Sequence, residues 1–469
     1  MKHTFVLLKN AYGTEEMRKV WTEENMVQKW LDMEVAITKA KAEVGIITWE
    51  QANGIIEKSS VKYLTPQMIA EVKAGAAHLI VSFIKAFAKM CKPWGEWYHV
   101  GPTTQDILDT GLVLQLREAY TILMRQLREL EDALCDMAIK HKDTVMMGRT
   151  HGQHAVPLTW GFKCAIWAGA VRDTITRFKE LAPRLFQANI SAAVGARNTF
   201  AYLVGPEKAE KIQDIVSREL GLYRPVMDIH QRPDRYAEFV NTIAECMMNL
   251  SQMSLEIREL QKTELQEVEE PFDSKEQYSS STMPNKRNPE PSEWVRGLSA
   301  CIRGAAQAVN EICMQHERDA TRMAAEFGMI PEACLNFSAA LKTCIFNMRG
   351  LRVKPENMRR NLYATKDIAM AELVLMGLYK KLGGQKVTAH TWVHDISMAA
   401  FDNGTTLREE IKKHPEASKL LTDEEIIELT NPETYVGTAP LQAVRMVEYI
   451  KQQRKLDQEA LAEVAVTLE

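Results

Sequence analysis

Long stretches without helix-breaking residues are the strongest constraint on the fold of this chain. Residues 103–147 contain one glycine and no proline, and residues 234–270 contain neither. Apolar residues recur there at every third or fourth position, as on one face of an amphipathic helix. Residues 158–181 and 291–327 show the same apolar spacing, although each contains two glycines. Four helices of about 25–40 residues exceed the usual globular range of about 8–20, and predict an all-α bundle of long helices.

Composition narrows the class of protein. The 469 residues carry 58 Lys and Arg against 62 Asp and Glu, a net charge of −4, which disfavours a nucleic-acid partner. The apolar run at residues 5–8 is too short for a signal peptide or a membrane span, so we expect a cytoplasmic protein with no membrane partner. The eight cysteines form no CxxC pair, and we interpret them as reduced, buried thiols.

Residues 271–291 form the longest irregular segment, between two predicted long helices. The segment is rich in serine and proline, and a loop of about 20 residues is usually functional or disordered. Its Lys286 and Arg287 stand beside three serines and Asn288, a combination that suits binding of a carboxylate. A solvated polar loop is the alternative on composition alone.

The sequence from Ser280 to Glu293 resembles the SSxMPxKxNxxxxE signature of the fumarase/aspartase superfamily. Ser279 stands where that family usually has glycine, which restricts the backbone. Other segments fit the adenylosuccinate lyase and carboxymuconate cycloisomerase branch of the family, including 78–83, 99–110, 148–157 and 231–235. Near His78, Leu79 replaces the aspartate of the family motif. Thr103 or Thr104 also suits a helix cap.

The resemblance implies a three-domain, all-α protomer and a homotetramer around a central bundle of long helices, with active sites assembled from three subunits. We place the N-terminal helical domain at 1–110, the central bundle at 111–360 with the catalytic loop 271–291, and the C-terminal helical domain at 361–469.

The family reaction is a β-elimination that releases fumarate. Carried over by position, Ser280 is the base, Lys286 stabilises its alkoxide, His151 is the acid and Glu293 orients His151. The substrate-binding residues implied by the resemblance are Asn288, Thr103, Thr104, Thr150, His78, Ser281, Met283, Gln231 and Arg318. This mechanism requires neither a metal nor an organic cofactor.

The leaving group is judged from residues 316–327. The nucleotide-cleaving branch has a serine and an arginine for phosphate where this chain has Met323 and Phe327, although Arg322 or Arg287 offers a compensating charge. We therefore predict a fumarate-releasing carbon-nitrogen lyase acting on a small, non-nucleotide succinyl-amine or polycarboxylate substrate. The alternatives are an adenylosuccinate lyase of purine biosynthesis, a 3-carboxy-cis,cis-muconate cycloisomerase and a non-catalytic helical scaffold.

Overall fold

The fold is almost entirely helical. The computed structural model describes residues 13–74, 79–230, 232–273, 275, 280–312, 316 and 318–467. Within those ranges four short strands accompany the helices, which confirms the all-α prediction. None of the described helices is both long enough and apolar enough to span a membrane.

The helices are numbered in chain order. They are α1 Glu15–Val20, α2 Glu23–Val44, α3 Trp49–Lys58, α4 Pro66–Ala74, α5 Leu79–Met90, α6 Thr104–Lys140, α7 Trp160–Leu185, α8 Asn198–Val204, α9 Pro206–Leu220, α10 Asp234–Leu260, α11 Glu290–Glu311, α12 Thr321–Ala324, α13 Ile330–Gly350, α14 Pro355–Leu362, α15 Ala371–Lys381, α16 Lys386–Asn403, α17 Leu407–Lys413, α18 Ala417–Leu420, α19 Asp423–Leu429 and α20 Ala439–Thr467. The strands are β1 Val145–Thr150, β2 Gln153–Thr159, β3 Val268–Glu269 and β4 Arg352–Val353. The predicted long stretches that begin at residues 103, 158 and 234 correspond to α6, α7 and α10.

The chain divides into two compact units. The first contains Met1–Leu127, Thr174–Met248 and Gly297–Lys342. Aromatic rings from four long helices meet in its core, around Phe178 of α7. The distance from the ring centroid of Phe178 is 5.6 Å to that of Tyr120 in α6, 5.7 Å to that of Phe239 in α10 and 6.4 Å to that of Phe337 in α13. These packed rings identify a long-helix bundle within this unit.

The second unit contains Arg128–Asp173, Asn249–Arg296 and Thr343–Glu469. Buried Arg172 of α7 donates to both carboxylate oxygens of Glu131 on α6, at 2.6 and 2.7 Å, and to Asp457 of α20 at 2.8 Å. A separate apolar cluster built from α15–α19 occupies the C-terminal part of this unit. The predicted division at residues 110 and 360 stays a prediction.

Three features differ from the sequence prediction. The stretch 291–327 is not one helix, because α11 ends at Glu311 and α12 begins at Thr321. The Asp319 carboxylate accepts from the Thr321 N–H at 2.8 Å, a local turn that competes with helical hydrogen bonding. A β-hairpin, β1 paired with β2, precedes α7. Of the seven described cysteines, none of which is in a disulfide, Cys301 is exposed and Cys135 is half-buried, so the expectation of burial is wrong for them.

Candidate active site

The proposed acid, His151, lies at the tip of the β1–β2 hairpin. Thr150 pairs with Gln153, so His151 and Gly152 alone form the turn. Both have positive φ, 54° and 75°, as the tight hairpin turn matching the strand twist requires. Glycine adopts this conformation freely, and histidine is among the residues enriched there. The turn exposes the side chains of Thr150 and His151 to solvent. Sequence reasoning placed this motif directly before a helix and missed the hairpin.

The proposed base, Ser280, is half-buried and has a polar environment made by its own loop. Its hydroxyl oxygen accepts from the backbone N–H of Met283 at 2.9 Å and of Thr282 at 3.3 Å. The Lys286 N–H donates in turn to the Met283 carbonyl at 3.1 Å. Amide donors aimed at a hydroxyl oxygen stabilise its negatively charged form. This arrangement therefore favours an alkoxide at Ser280.

An open cavity of about 760 Å³ lies in the second unit beside the predicted catalytic loop. Lys286, Asn288 and Glu293 are among its lining residues, together with Arg287 and Lys354. The side chains of Ser281, Met283 and Lys286 are exposed, and Asn288 is half-buried. The structure thus brings three of the predicted residues together around one cavity, whose lining also includes the carboxylates of Glu264 and Glu269.

Glu293 lies in the first turn of α11, where a carboxylate is favoured by the helix dipole. Its Oε1 is 3.4 Å from Arg258 Nε. In the part of the single chain that the structure describes, no hydrogen bond joins Glu293 to His151. The predicted orientation of His151 by Glu293 therefore remains a prediction.

The first unit carries the other predicted substrate-binding residues. Thr103 and Thr104 are half-buried at the start of α6, where the Thr103 N–H donates to Asp106 Oδ2 at 2.8 Å. Arg318 is half-buried, and its Nη1 atom is buried with no hydrogen-bond partner. His78 and Gln231 lie outside the described residues.

A buried charge cluster in the first unit was not predicted. Arg322 donates to Asp109 Oδ1 at 2.8 Å, to Glu326 Oε1 at 2.5 Å and to the His230 carbonyl at 2.6 Å. Burial and the nearby Asp109 charge raise the pKa of Glu326 to about 7, although Arg322 opposes this. Each nitrogen of the Arg322 guanidinium is thus hydrogen-bonded within the protein. Arg322 and Glu326 are four residues apart in a helical segment, and opposite charges at this spacing were a signal in the sequence for an ion pair.

Comparisons with known proteins identify the family. Residues 11–304 match the family described as Lyase, and residues 367–446 match the adenylosuccinate lyase C-terminus. The chain belongs to this lyase family. The fumarase/aspartase resemblance is confirmed, and the protein is a fumarate-releasing carbon-nitrogen lyase of the adenylosuccinate lyase-like kind.

Individual members of the lyase family differ in what their names say they cleave. Adenylosuccinate lyase of Pyrococcus abyssi is 39% identical, covering 95% of this chain and 97% of that protein. N-acetyl-S-(2-succino)cysteine lyase of Dickeya dadantii is 35% identical, covering 95% and 96%. The crystal structure of 3-carboxy-cis,cis-muconate lactonizing enzyme from Pseudomonas putida superposes with a TM-score of 0.86 at 29% identity, covering 95% and 99%.

Proposed function

We propose that this lyase releases fumarate from a small succinyl-amine without a phosphate group, by reversible β-elimination. The observation that carries the mechanism is the Ser280 hydroxyl, whose oxygen accepts two backbone N–H groups in the same loop as Lys286, which lines the cavity. The Ser280 alkoxide removes a proton from the carbon next to a carboxylate. That electron pair forms the carbon–carbon double bond, the carbon–nitrogen bond breaks, and His151 gives a proton to the departing nitrogen.

Lys286 and Asn288 hold the carboxylate on which negative charge develops. A cation and an amide donor at this position stabilise the intermediate more than the substrate, which is what accelerates the reaction. Ser281, Met283, Thr150, Thr103, Thr104, His78, Gln231 and Arg318 complete the proposed substrate site. In the cytoplasmic homotetramer that we propose, three subunits contribute to each site. There Glu293 of one copy orients His151 of another, which accords with the exposure of both side chains in the single chain.

The charges around the leaving group support a substrate without phosphate. Arg322, which offered a compensating charge, is buried and paired with Asp109 and Glu326, and Arg287 is already paired with Glu269 at 2.5 Å although its side chain is 46% exposed. Met323 and Phe327 are 39% and 44% exposed, so they present apolar surface. Each lost charge-assisted contact to a phosphate weakens binding by about 1.5–3 kcal/mol.

An adenylosuccinate lyase is the second candidate. The 39% identity to the Pyrococcus abyssi enzyme favours it over the 35% identity to the succinocysteine lyase. Overall identity therefore supports a nucleotide substrate, whereas residues 322–327 support a smaller one. The two candidates share the same base, acid and carboxylate site, and differ in the leaving group alone.

The test is a fumarate-addition and cleavage screen. Purified protein is incubated with fumarate and a panel of amines and amino acids, and separately with adenylosuccinate, N-acetyl-S-(2-succino)cysteine and carboxymuconate. Products are identified by mass spectrometry. We expect an amine adduct that Ser280→Ala abolishes and that the surface variant Ser418→Ala retains. Cleavage of adenylosuccinate at a rate above every small substrate would establish the second candidate. Lactone from carboxymuconate with no fumarate chemistry would overturn both.

A further inference from the structure

Two adjacent glutamates at the end of β3 face different parts of the second unit. Glu269 Oε1 accepts from Arg287 Nη1 at 2.5 Å, and its Oε2 lies 2.7 Å from Lys354 Nζ. Arg352 on the paired strand β4 adds a third cation at 3.8 Å. Burial alone would raise the pKa of Glu269, but the bonds from Lys354 and Arg287 outweigh it and lower that pKa. Glu269 is therefore an ionised anchor for Arg287 in the catalytic loop.

Glu270 binds Ser292, five residues after the Arg287 that Glu269 holds. Its Oε1 accepts from the Ser292 N–H at 3.1 Å and from the Ser292 hydroxyl. Asn347 of α13 donates to the same oxygen at 2.7 Å. Ser292 lies in the first turn of α11, whose N–H groups have no partner within the helix. Glu270 thus caps α11 from a distant part of the chain, and its charge complements the helix dipole.

Gln261 connects the two anchors. Its side-chain oxygen accepts from the Glu270 N–H at 2.8 Å, and its side-chain nitrogen donates to the Arg287 carbonyl at 3.3 Å. The backbone of β3 and the backbone of the loop are therefore tied through one side chain. We call Gln261, Glu269 and Glu270 the β3 clamp.

Three proposed functional residues lie on or beside the clamped segment 287–292. Lys286 precedes it, Asn288 lies within it and Glu293 follows it. We propose that Glu269 and Glu270 are positioning residues that fix Lys286, Asn288 and Glu293 for the elimination. The catalytic consequence rests on the proposed function, but the clamp is a property of the fold. A displacement of about 1 Å in a catalytic group lowers a rate up to about 100-fold.

The experiment compares Glu269→Gln and Ser292→Ala with Glu433→Gln. Glu433 is a matched control, because its Oε1 also accepts from an arginine and a second donor, Arg359 at 2.8 Å and Tyr363 at 2.9 Å. Hydrogen–deuterium exchange is measured first in each full-length variant. The exchange rate of peptides from 285–296 is compared with that of peptides from the rest of the chain. Steady-state kcat and KM are then measured on the substrate found in the screen, for these variants, Arg287→Gln and the double variant Glu269→Gln/Arg287→Gln.

We expect faster exchange at 285–296 in Glu269→Gln and Ser292→Ala but not in Glu433→Gln. We also expect kcat to fall about 10- to 100-fold with KM changed less than threefold. The double variant should be no slower than Glu269→Gln, since Glu269→Gln has already broken the ion pair that Arg287→Gln removes. Unchanged exchange in both variants would overturn the clamp, whether or not the enzyme is active. Faster exchange with unaltered kcat would overturn its positioning role. A wild-type protein inactive on the whole panel would instead count against the proposed function.

Discussion

Arg322 and Asp109 form a buried ion pair in which Nη2 and Oδ1 are 2.8 Å apart, and both side chains are at most 6% exposed. A buried pair of this kind is strongly destabilising to break, because the remaining charge has lost both its partner and water. It joins α6 to the helical segment that follows α11, and the remaining donors of Arg322 hold Glu326 and the His230 carbonyl. The pair therefore connects two segments that carry predicted substrate contacts.

Replacing Arg322 tests that connection. We expect Arg322→Met to lower the free energy of unfolding by about 3–5 kcal/mol, since Asp109 and Glu326 remain buried without their cation. The control is Arg232→Met, which breaks the exposed pair with Asp234 and should cost at most about 1 kcal/mol. Urea unfolding followed by circular dichroism measures both. Equal losses for the two variants would show that burial adds nothing to the Arg322 pair.

Glu326 should make stability depend on pH. Its folded-state pKa of about 7 lies above the ordinary 4.5, so the folded chain holds a proton that the unfolded chain releases. The resulting stabilisation is complete below about pH 4.5 and is lost as the pH rises through 7. The wild type should therefore lose stability relative to Glu326→Gln between pH 5 and pH 8. Urea midpoints of both proteins across this range measure the difference. A constant difference would contradict the raised pKa.

Removing the Ser280 hydroxyl should affect catalysis and leave the fold intact. We expect Ser280→Ala to lower kcat about 100- to 10,000-fold, which is the usual contribution of a positioned base. KM should change little, because Lys286 and Asn288 still bind the carboxylate. Stopped-assay kinetics with mass spectrometry give both constants, and circular dichroism checks the fold. Retention of more than a tenth of the wild-type kcat would rule out Ser280 as the base.

The hairpin turn at His151 gives a fourth test. Gly152 has a φ of +75° and open space around the position of a Cβ atom, so Gly152→Ala introduces backbone strain without a clash. The cost should be about 1 kcal/mol, as for any L-residue in this conformation. Gly45→Ala is the control, since Gly45 has a φ of +88° and equally open space. Both variants should lose similar stability in urea, but Gly152→Ala alone should lose activity. Equal activity in the two would show that the strain at Gly152 does not displace His151 from its working position.

The sequence predicted the long helices closely where apolar periodicity was uninterrupted. The stretch 103–147 became α6 as far as Lys140, with its last residues in β1, and the stretch 158–181 became α7. The prediction of one helix over 291–327 failed because a side chain there competes for a backbone N–H group, as Asp319 does at Thr321. The His151 hairpin was missed because the two-residue turn is short. A two-residue hairpin turn requires positive φ at His151 and Gly152, and the glycine was the signal for such a turn in the sequence.

The candidate site was only partly predictable for a different reason. Motif spacing placed Lys286, Asn288 and Glu293 in one segment, and they line one cavity. No periodicity indicated that Glu269 and Glu270 would hold that segment, because those contacts join distant stretches of the chain through tertiary packing. Arg322 was considered as a phosphate ligand, whereas the fold engages it with Asp109 and Glu326.

The two amide bonds to Ser280 also limit the geometry of the reaction. An alkoxide oxygen has three lone pairs, and the N–H groups of Thr282 and Met283 occupy two of them. One direction then remains for the incoming proton. A methylene group next to a bound carboxylate presents two hydrogens, and a base that acts along one direction removes one of them every time. A substrate deuterated on one prochiral position would therefore lose or keep its label completely in the fumarate released.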